Sequence, residues 1–242
     1  LVKMAVRRIM LNHALPQPTI DVTSRAMVIG GGIAGMTAAL GIADQGYQTY
    51  LVEKGPALGG NGLLLHQTWK GDDIPVQVQE MIDQVTKHPS IDVYTQATVS
   101  NASGFVGNFS TTVSHNGQEV DLNHGVVVLA TGAGEYKPDE YLYGQDDRVM
   151  THLDLDAALK SGDERVTGAQ SVVFIQCVGS REPDRPYCSK VCCTHTLQSA
   201  LSLKKAQPER TVAILFRDMR SFGERESLYQ EARKLGILFI RY

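Results

Sequence analysis

The sequence predicts an α/β protein built from two successive units, each with helices packed on a parallel sheet. Three observations predict this class. A short apolar strand at residues 26–29 runs into a glycine cluster and a helix, and a second alternation of strands and helices starts near Gly168. Between them, Asn116-Gly117 separates two strand-like runs, as in a tight antiparallel hairpin.

Residues 1–22 are predicted to form an N-terminal helix and linker. Residues 3–11 have helical character. Pro16 and Pro18 then block helix and favour an extended path, because proline lacks the amide N–H and restricts the residue before it. We therefore expect this region to lie outside both sheet units.

The first sheet unit, assigned to residues 23–165, begins with a strand, a helix and a strand. We expect the buried strand at 26–29, a helix from the glycines to about Asp44 with Gly46 as its stop signal, and a strand at 50–52. This βαβ unit has the size, about thirty residues, of a dinucleotide-binding fold.

The rest of the first unit combines one helix with short strands. A helix is predicted where apolar residues follow the spacing i, i+3, i+4, i+7, namely at Val78, Met81, Ile82 and Val85. Strands are expected at 91–95, 109–113, 119–122 and 126–129, the second and third forming the hairpin. The last run is apolar throughout, which predicts a central parallel strand.

The second sheet unit, assigned to residues 166–242, repeats the alternation. Its boundary is placed in the polar, glycine-containing stretch at 161–170. Strands are expected at 172–176, 212–216 and 237–240, with helices ending near 205 and 235. Because the sequence stops on a strand-like run, we expect this unit to be incomplete at its C-terminus.

Composition mainly excludes function classes. The formal net charge is -3 and no basic run stands out, so no nucleic-acid partner is expected. No apolar run reaches membrane-spanning length, so any membrane association is expected only through partners. Clustered cysteines without a signal peptide favour a reducing, cytoplasmic location.

The glycine cluster carries the first chemical signal. Gly30, Gly32 and Gly35 occupy the three defining positions of G-x-G-x-x-G. The first glycine permits the tight turn, the second lets a pyrophosphate approach, and the third lets helix and strand pack closely. The helix N-terminus offers free N–H groups to the phosphate. Glu53, at the end of the next strand, is positioned for a ribose hydroxyl, so the first unit is predicted to be Rossmann-like.

All four cysteines lie between positions 177 and 193, in the pattern C-x10-C-x3-C-C. Disulfides fit poorly, because two of the cysteines are adjacent and a 242-residue chain with 43% hydrophobic residues can form a core without them. Zinc usually has paired C-x2-4-C ligands at both ends of its site. Four thiolates from one loop suit an iron–sulfur cluster best, with zinc and a redox-active dithiol as alternatives.

In the second unit, the loop after the first strand lacks the glycines that a dinucleotide-binding unit has at that place. After the strand at 172–176 the sequence reads CVGSR, not G-x-G-x-x-G. Without those glycines a pyrophosphate cannot approach the backbone in the usual way. The loop carries thiols instead, which favours electron passage through a cluster over a bound nicotinamide.

Two further motifs resemble the two-dinucleotide-binding flavoproteins. These are LGGN at 58–61 and ATG at 130–132, together with the hairpin strands between them. In that superfamily the Gly-Gly pair lies by the flavin phosphates, and the ATG strand returns to the FAD site. The resemblance implies FAD, bound by Gly30, Gly32, Ile33, Ala34, Gly35, Glu53, Lys54, Gly59, Gly60, Asn61, Ala130, Thr131 and Gly132.

A more specific resemblance covers nearly the whole chain. QCVGSR at 176–181 and PYCSKVCC at 186–193 are similar to the signature of the A-type subunit of heterodisulfide reductase and its relatives in anaerobes. LVEK at 51–54, VGNF at 106–109 and EYKP at 135–138 are similar too. Family members are much longer, so the resemblance implies that this chain is a middle portion.

That family binds FAD and iron–sulfur clusters and passes electrons among protein partners. The resemblance therefore implies an oxidoreductase subunit with FAD and a [4Fe-4S] cluster and no catalytic acid or base. Its implied partners are B- and C-type subunits and hydrogenase- or dehydrogenase-type electron donors, and a homodimer is allowed. The implied cluster ligands are Cys177, Cys188, Cys192 and Cys193.

Two positions near the cysteines need separate comment. The family commonly has a lysine near the flavin five residues after the cysteine pair, whereas this chain has Gln198. A neutral amide supplies no positive charge to a reduced flavin, so electron bifurcation is left open. His195 is a candidate donor to a cluster sulfur, with a solvated histidine as the alternative.

Two alternative functions remain at this point. One is an NAD(P)H-dependent disulfide reductase that uses Cys192 and Cys193 as a dithiol, although its nicotinamide loop is missing. The other is a non-catalytic electron-relay or scaffold module that anchors other subunits.

Overall fold

The computed structural model describes residues 1–13, 17 and 19–242 of the chain. It contains two parallel sheets and one antiparallel sheet, as the α/β prediction requires. The strands are β1 (Arg25–Ile29), β2 (Gln48–Val52), β3 (Ile91–Tyr94), β4 (Ala97–Phe105), β5 (Asn108–His115), β6 (Gln118–His124), β7 (Val126–Leu129), β8 (Ser171–Ile175), β9 (Thr211–Phe216) and β10 (Leu238–Arg241). The helices are α1 (Val2–Met10), α2 (Ile33–Ala43), α3 (Ile74–Lys87), α4 (His152–Ser161), α5 (Glu164–Thr167), α6 (Cys192–Ala206) and α7 (Glu226–Lys234).

The first sheet has the order β3-β2-β1-β7, with every pair parallel. The predicted βαβ unit is confirmed. One face of the sheet packs against α2 and α3, and the shared core includes Val28, Met36, Leu51 and Val85. Because all four strands run the same way, their carboxyl ends meet at one edge.

The prediction of a central strand at 126–129 is wrong. Among the described residues β7 pairs only with β1 and lies at the edge of the sheet. Val126 is 50% exposed and Leu129 is 75% exposed. The apolar run predicted burial on both sides, but an apolar sequence alone does not say how many neighbouring strands are present.

The antiparallel sheet has the order β4-β5-β6 and covers the other face of the first sheet. The predicted hairpin turn is confirmed, with φ of 51° at Asn116 and 76° at Gly117. Val113 and Leu122 pack with Met27 in their shared core. Strand β4 was not predicted, because almost all of its residues are exposed and mostly polar or small.

The second parallel sheet has the order β10-β9-β8 and confirms the second alternation. Its core includes Phe174, Leu197 and Ile214. Leu155 and Ala158 of α4 pack in that same core, although they precede the boundary predicted at 161–170. The division between 23–165 and 166–242 stays a prediction, and α4 contributes apolar side chains to the second unit.

A buried arginine, Arg210, joins α5, the segment that follows it and α6 to the start of β9. Only 2% of its surface is exposed. Its guanidinium donates to the main-chain oxygens of Val166, Thr167, Ala169 and Leu203, at 2.7 to 3.2 Å. Four carbonyl acceptors compensate part of the desolvation of a buried cation.

Helix α1 confirms the predicted N-terminal helix, and none of its residues is buried. The predicted proline linker, at Pro16 and Pro18, falls outside the described residues. Within the described part of the chain, every helix is too short or too polar to cross a membrane.

Candidate functional site

The glycine loop lies at the carboxyl edge of the first sheet, between β1 and α2. Gly30 has φ of 111°, and a Cβ built on it would lie 2.2 Å from the Ala130 carbonyl oxygen. A Cβ on Gly35 would lie 1.8 Å from the Gly30 oxygen. Both distances are far below van der Waals contact, so the backbone path requires glycine at these two positions.

Gly32 differs from its two neighbours in the motif. Its φ of -76° and ψ of -176° suit any residue, and a Cβ on it would meet none of the described residues within 4 Å. It is the N-cap of α2, and no described side chain caps the helix there. The fold itself therefore does not require glycine at position 32, and the space in front of the helix N-terminus is open to a ligand phosphate.

Glu53 directly follows β2, beside the glycine loop. One carboxylate oxygen accepts from the Gly31 N–H at 2.6 Å, and the other accepts from the Gly55 N–H at 2.6 Å. The carboxylate is thereby fixed at the sheet edge, and its remaining lone pairs stay available for a ribose hydroxyl. Lys54, next in sequence, is exposed.

The two flavoprotein-like motifs meet beside this loop. The Gly59 N–H donates to the Gly31 oxygen at 2.8 Å. The Asn61 side-chain amide donates to the Ala133 oxygen at 3.1 Å, directly after the ATG segment. The structure thus brings the predicted FAD-binding residues that follow β1, β2 and β7 to one edge of the first sheet. Exposed residues among them include Ile33, Ala34, Thr131 and Gly132. This glycine-lined opening at a helix N-terminus fits a dinucleotide.

The cysteine loop occupies the corresponding edge of the second sheet. Cys177 lies two residues after the end of β8, and Cys192 begins α6. Cys177 has φ of 64°, Arg181 of 61° and Lys190 of 61°. Left-handed backbone is unusual in residues other than glycine and is concentrated at functional sites, so three such residues in one loop mark it as a constrained segment.

The thiols at the start of α6 differ in acidity. The pKa of Cys192 is lowered to about 6, chiefly because the Cys193 thiol donates a hydrogen bond to it, with a further bond from Ser189. The pKa of Cys193 is raised, first by that same hydrogen bond and then by burial. Cys177 adds negative charge near Cys193, which raises the pKa of Cys193 further. Cys177 and Cys192 therefore both raise the pKa of Cys193.

Cys188 lies in the exposed arm of the loop, where its sulfur accepts from the Lys190 N–H at 3.4 Å. Within the described residues, no group of three or more His, Cys, Asp or Glu side chains is arranged to hold a metal ion.

Unpaired polar atoms belong to residues that lie near the cysteines in the sequence. In the described residues, four buried side-chain N or O atoms have no hydrogen-bond partner, and three of them belong to Gln176, Arg181 and Thr194. Gln176 and Thr194 are each next to a cysteine in the sequence, and Arg181 is four residues from one. Such atoms are costly unless something pairs with them. Arg181 and Thr194 can donate, and thiolates or sulfides accept, so the donor set and its surroundings fit an iron–sulfur group.

Further hydrogen bonds and ion pairs hold the loop against the segment that follows β9. Arg181 forms a 2.6 Å ion pair with Asp218, and the Cys193 thiol lies 3.8 Å from the Asp218 oxygen. Arg217 donates to the Arg181 oxygen at 2.6 Å and pairs with Glu182 at 3.3 Å. Arg217 is thus engaged within the loop, whereas Nη1 of Arg181 has no partner among the described residues.

His195 turns away from the thiols. Its Nε2 lies 3.0 Å from an Asp156 oxygen, and its ring stacks on His152 at 4.8 Å. The sequence suggested two roles for His195, a donor to a cluster sulfur or a solvated histidine. Its contacts with Asp156 and His152 fit neither role. Gln198 lines a small cavity, about 10 Å³, together with His66, Asp156 and His195. The cavity is close to the minimum volume for a single water.

We expect His152 to make folding stability depend on pH. Burial and the adjacent His195 lower its pKa to about 4. From about pH 6.5 down to pH 4 the folded chain therefore binds fewer protons than the unfolded chain, so stability is complete above pH 6.5 and falls as the pH drops. We expect a loss of up to about 3 kcal/mol in urea unfolding.

The control for this prediction is a pair of variants. His152→Gln should flatten the decline between pH 6.5 and 4, because glutamine does not titrate. His13→Gln, at an exposed position, should leave the decline unchanged. An unchanged pH profile in His152→Gln would contradict the assignment.

Sequence reasoning missed several residues of this region. Tyr136, from the segment after β7, lies against the cysteine loop. His152 and Asp156 come from α4, far from the cysteines in sequence. No local pattern marks these residues, because only the tertiary packing of α4 and the linking segment brings them here.

Comparison with known protein families places both candidate sites within one family. The family described as "Pyridine nucleotide-disulphide oxidoreductase" matches residues 24–214. The matched region includes both the glycine loop and all four cysteines.

Curated relatives resemble the chain over its whole length. An iron-sulfur, A-type subunit of CoB–CoM heterodisulfide reductase from Methanopyrus kandleri is 30% identical over 337 residues, covering 100% of this chain and 51% of the relative. The A-type subunit of H(2):CoB-CoM heterodisulfide,ferredoxin reductase from Methanothermobacter marburgensis is 28% identical over 335 residues, with the same coverage. The chain spans about half the length of these relatives.

Solved structures support the fold. Thioredoxin reductase from Lactococcus lactis superimposes with a TM-score of 0.59 at 20% identity, covering 90% of this chain and 64% of that protein. Thioredoxin reductase from T. acidophilum gives a TM-score of 0.59 at 15% identity, covering 89% and 63%. These likenesses confirm the predicted arrangement of two Rossmann-like units.

Proposed function

The chain belongs to the pyridine nucleotide-disulphide oxidoreductase family, and on that basis we propose that it is the FAD- and iron–sulfur-binding portion of a heterodisulfide-reductase-like electron-transfer subunit. One observation carries the proposal. The edge of the second sheet, where a nicotinamide-binding glycine loop would stand, bears four cysteines instead.

FAD, when bound, exchanges two electrons and can also pass them singly. This chain's residues supply its binding. The N–H groups at the start of α2 receive the pyrophosphate, with Gly32 leaving room for it. Glu53, held by two backbone N–H groups, receives the ribose hydroxyl. The loops at 59–61 and 130–132 line the remaining side.

A [4Fe-4S] cluster, when bound, exchanges single electrons at a potential set by its surroundings. Cys177, Cys188, Cys192 and Cys193 are the proposed ligands. Arg181 and the N-terminus of α6 put positive charge beside them, which favours the thiolate form. No side chain needs to act as a general acid or base for electron transfer, so the proposal assigns no catalytic residue.

Partner proteins follow from the same proposal. The similar proteins are named as subunits, and one name includes hydrogen and ferredoxin. We assign this chain to a multi-subunit complex, with B- and C-type subunits and hydrogenase- or dehydrogenase-type donors as the expected partners. Gln198 supplies no positive charge in its cavity, so electron bifurcation is not part of the proposal.

A disulfide reductase is the second candidate, favoured by the lowered pKa of Cys192. The geometry of adjacent cysteines argues against this candidate. Consecutive Cα atoms are about 3.8 Å apart, whereas disulfides usually need about 4.4 to 6.8 Å. A bond between Cys192 and Cys193 would therefore be strained, and the family's usual nicotinamide loop is replaced.

One experiment separates the two candidates. The full-length protein, purified without oxygen, should contain FAD together with iron and acid-labile sulfide. Addition of NADH or NADPH alone should leave the flavin oxidised, because the second unit has no glycine loop for nicotinamide. Flavin without iron, rapidly bleached by either nucleotide, would favour the disulfide reductase.

A further inference from the structure

We propose that Tyr136 is a positioning residue that couples the FAD site to the cysteine loop, so that occupancy of one site restrains the other. The inference rests on the proposed function for the identity of the two ligands. It rests on the structure for the contacts of Tyr136 with the cysteine loop and for the attachment of its segment to the glycine-rich edge.

The first contact is with Gly179, in the cysteine loop. A Cβ built on Gly179 would lie 2.2 Å from two carbons of the Tyr136 ring. The ring therefore lies directly on the glycine backbone. Gly179 has φ of 64°, and it stands between Cys177 and Arg181, which also have positive φ. The ring covers the most constrained stretch of the loop.

The second contact is with Arg185, nearer to Cys188. The guanidinium carbon lies 4.1 Å from the centre of the Tyr136 ring, within cation–π range. One aromatic ring is thus held between Gly179 and Arg185. These two residues flank the part of the loop that leads to the half-buried Cys188.

The same segment is attached at its other end to the proposed FAD site. Ala130 donates its N–H to the Ile29 oxygen, beside Gly30, at 2.8 Å. The Ala133 oxygen accepts from Asn61 at 3.1 Å. Glu135 accepts from the Leu153 N–H at 3.3 Å, which fixes the segment to α4. A ligand that orders the glycine-rich edge therefore restrains Tyr136 as well.

Coupling of this kind is reciprocal. FAD should slow opening of the cysteine loop, and an assembled cluster should tighten FAD binding. The ring is the link, so its removal should uncouple the sites while leaving each set of ligands in place. Neither effect requires a bond to form or break.

The test uses alkylation of the cysteines in full-length protein prepared without iron. Tyr136→Ala should speed modification of Cys177 and Cys188 by roughly fivefold to thirtyfold, the range expected when one or two weak contacts are lost. Tyr136→Phe, which keeps the ring, should stay within about twofold of wild type. Tyr47→Ala is the matched control. Tyr47 is 49% exposed and Tyr136 is 37% exposed, so the two side chains are similarly accessible. Tyr47 precedes β2, at the end of the first sheet opposite the glycine loop.

A second arm adds saturating FAD, with binding measured separately by flavin fluorescence. FAD should slow alkylation in wild type and Tyr136→Phe but not in Tyr136→Ala. Equal rates in all variants, with FAD bound, would overturn the coupling. If FAD did not bind, the proposed function would be contradicted instead. The alkylation rates measured without FAD would still test the contact of Tyr136 with the cysteine loop. Thermal unfolding is measured for each variant. It shows whether faster alkylation in Tyr136→Ala comes only from a loss of global stability.

Discussion

Replacing Gly32 with valine is expected to abolish FAD retention in the full-length protein while leaving the fold intact. A side chain at this position occupies the space in front of the α2 N-terminus that a pyrophosphate needs. None of the described residues lies within 4 Å of a Cβ at position 32, and the backbone there suits any residue. We expect at least a hundredfold weaker FAD binding, about 3 kcal/mol, and less than about 1 kcal/mol of lost stability.

Gly30→Ala is the contrasting variant. Its Cβ would lie 2.2 Å from a main-chain oxygen, and its φ of 111° is unfavourable for alanine. This variant should lose both FAD and stability, because β1 and β7 must separate to admit the methyl group. The pair therefore distinguishes a glycine required by the ligand from a glycine required by the fold.

The measurements are flavin content after purification, FAD titration and chemical unfolding. Full flavin content in Gly32→Val would contradict the assignment of the glycine loop to FAD. If Gly32→Val were as unstable as Gly30→Ala, the open space seen beside Gly32 would not be available to a side chain.

Local patterns predicted most of the fold. The glycine motif, the Asn116-Gly117 turn and the helical spacing on α3 depend on residues close in sequence, and all three are confirmed. What failed depends on distant packing. The edge position of β7 depends on which strands lie beside it, and β4 is almost entirely exposed, so its sequence lacks an apolar face.

The site was predictable to a similar extent. The glycine loop and Glu53 were identified from spacing, and the structure brings them to one edge. Spacing alone could not reveal that Glu53 is held by Gly31 and Gly55, nor that Tyr136 lies on Gly179. Such contacts join segments that the chain separates, and one sequence holds no direct record of them.

The cysteines provide the second large effect. Replacing Cys177, Cys192 or Cys193 singly with serine should remove most of the iron and the EPR signal of the reduced cluster, while FAD remains bound. Serine is nearly the same size, so the fold should tolerate it. The glycine loop lies on the other parallel sheet, which is why flavin content should be unaffected. Cys188→Ser should have the same effect, because Cys188 is the fourth proposed ligand.

The adjacent pair makes this experiment decisive between cluster and dithiol. The Cys193 thiol now donates to Cys192 and lowers the pKa of Cys192 to about 6. Metal ligation requires both sulfurs as thiolates, so the raised pKa of Cys193 must be overcome by the positive charge of the irons. Ser202→Ala, on the same helix but away from the thiols, is the control and should keep full iron. If Cys192→Ser and Cys193→Ser kept full iron and lost only a titratable dithiol, the four cysteines would not be cluster ligands and the disulfide reductase would be the correct function.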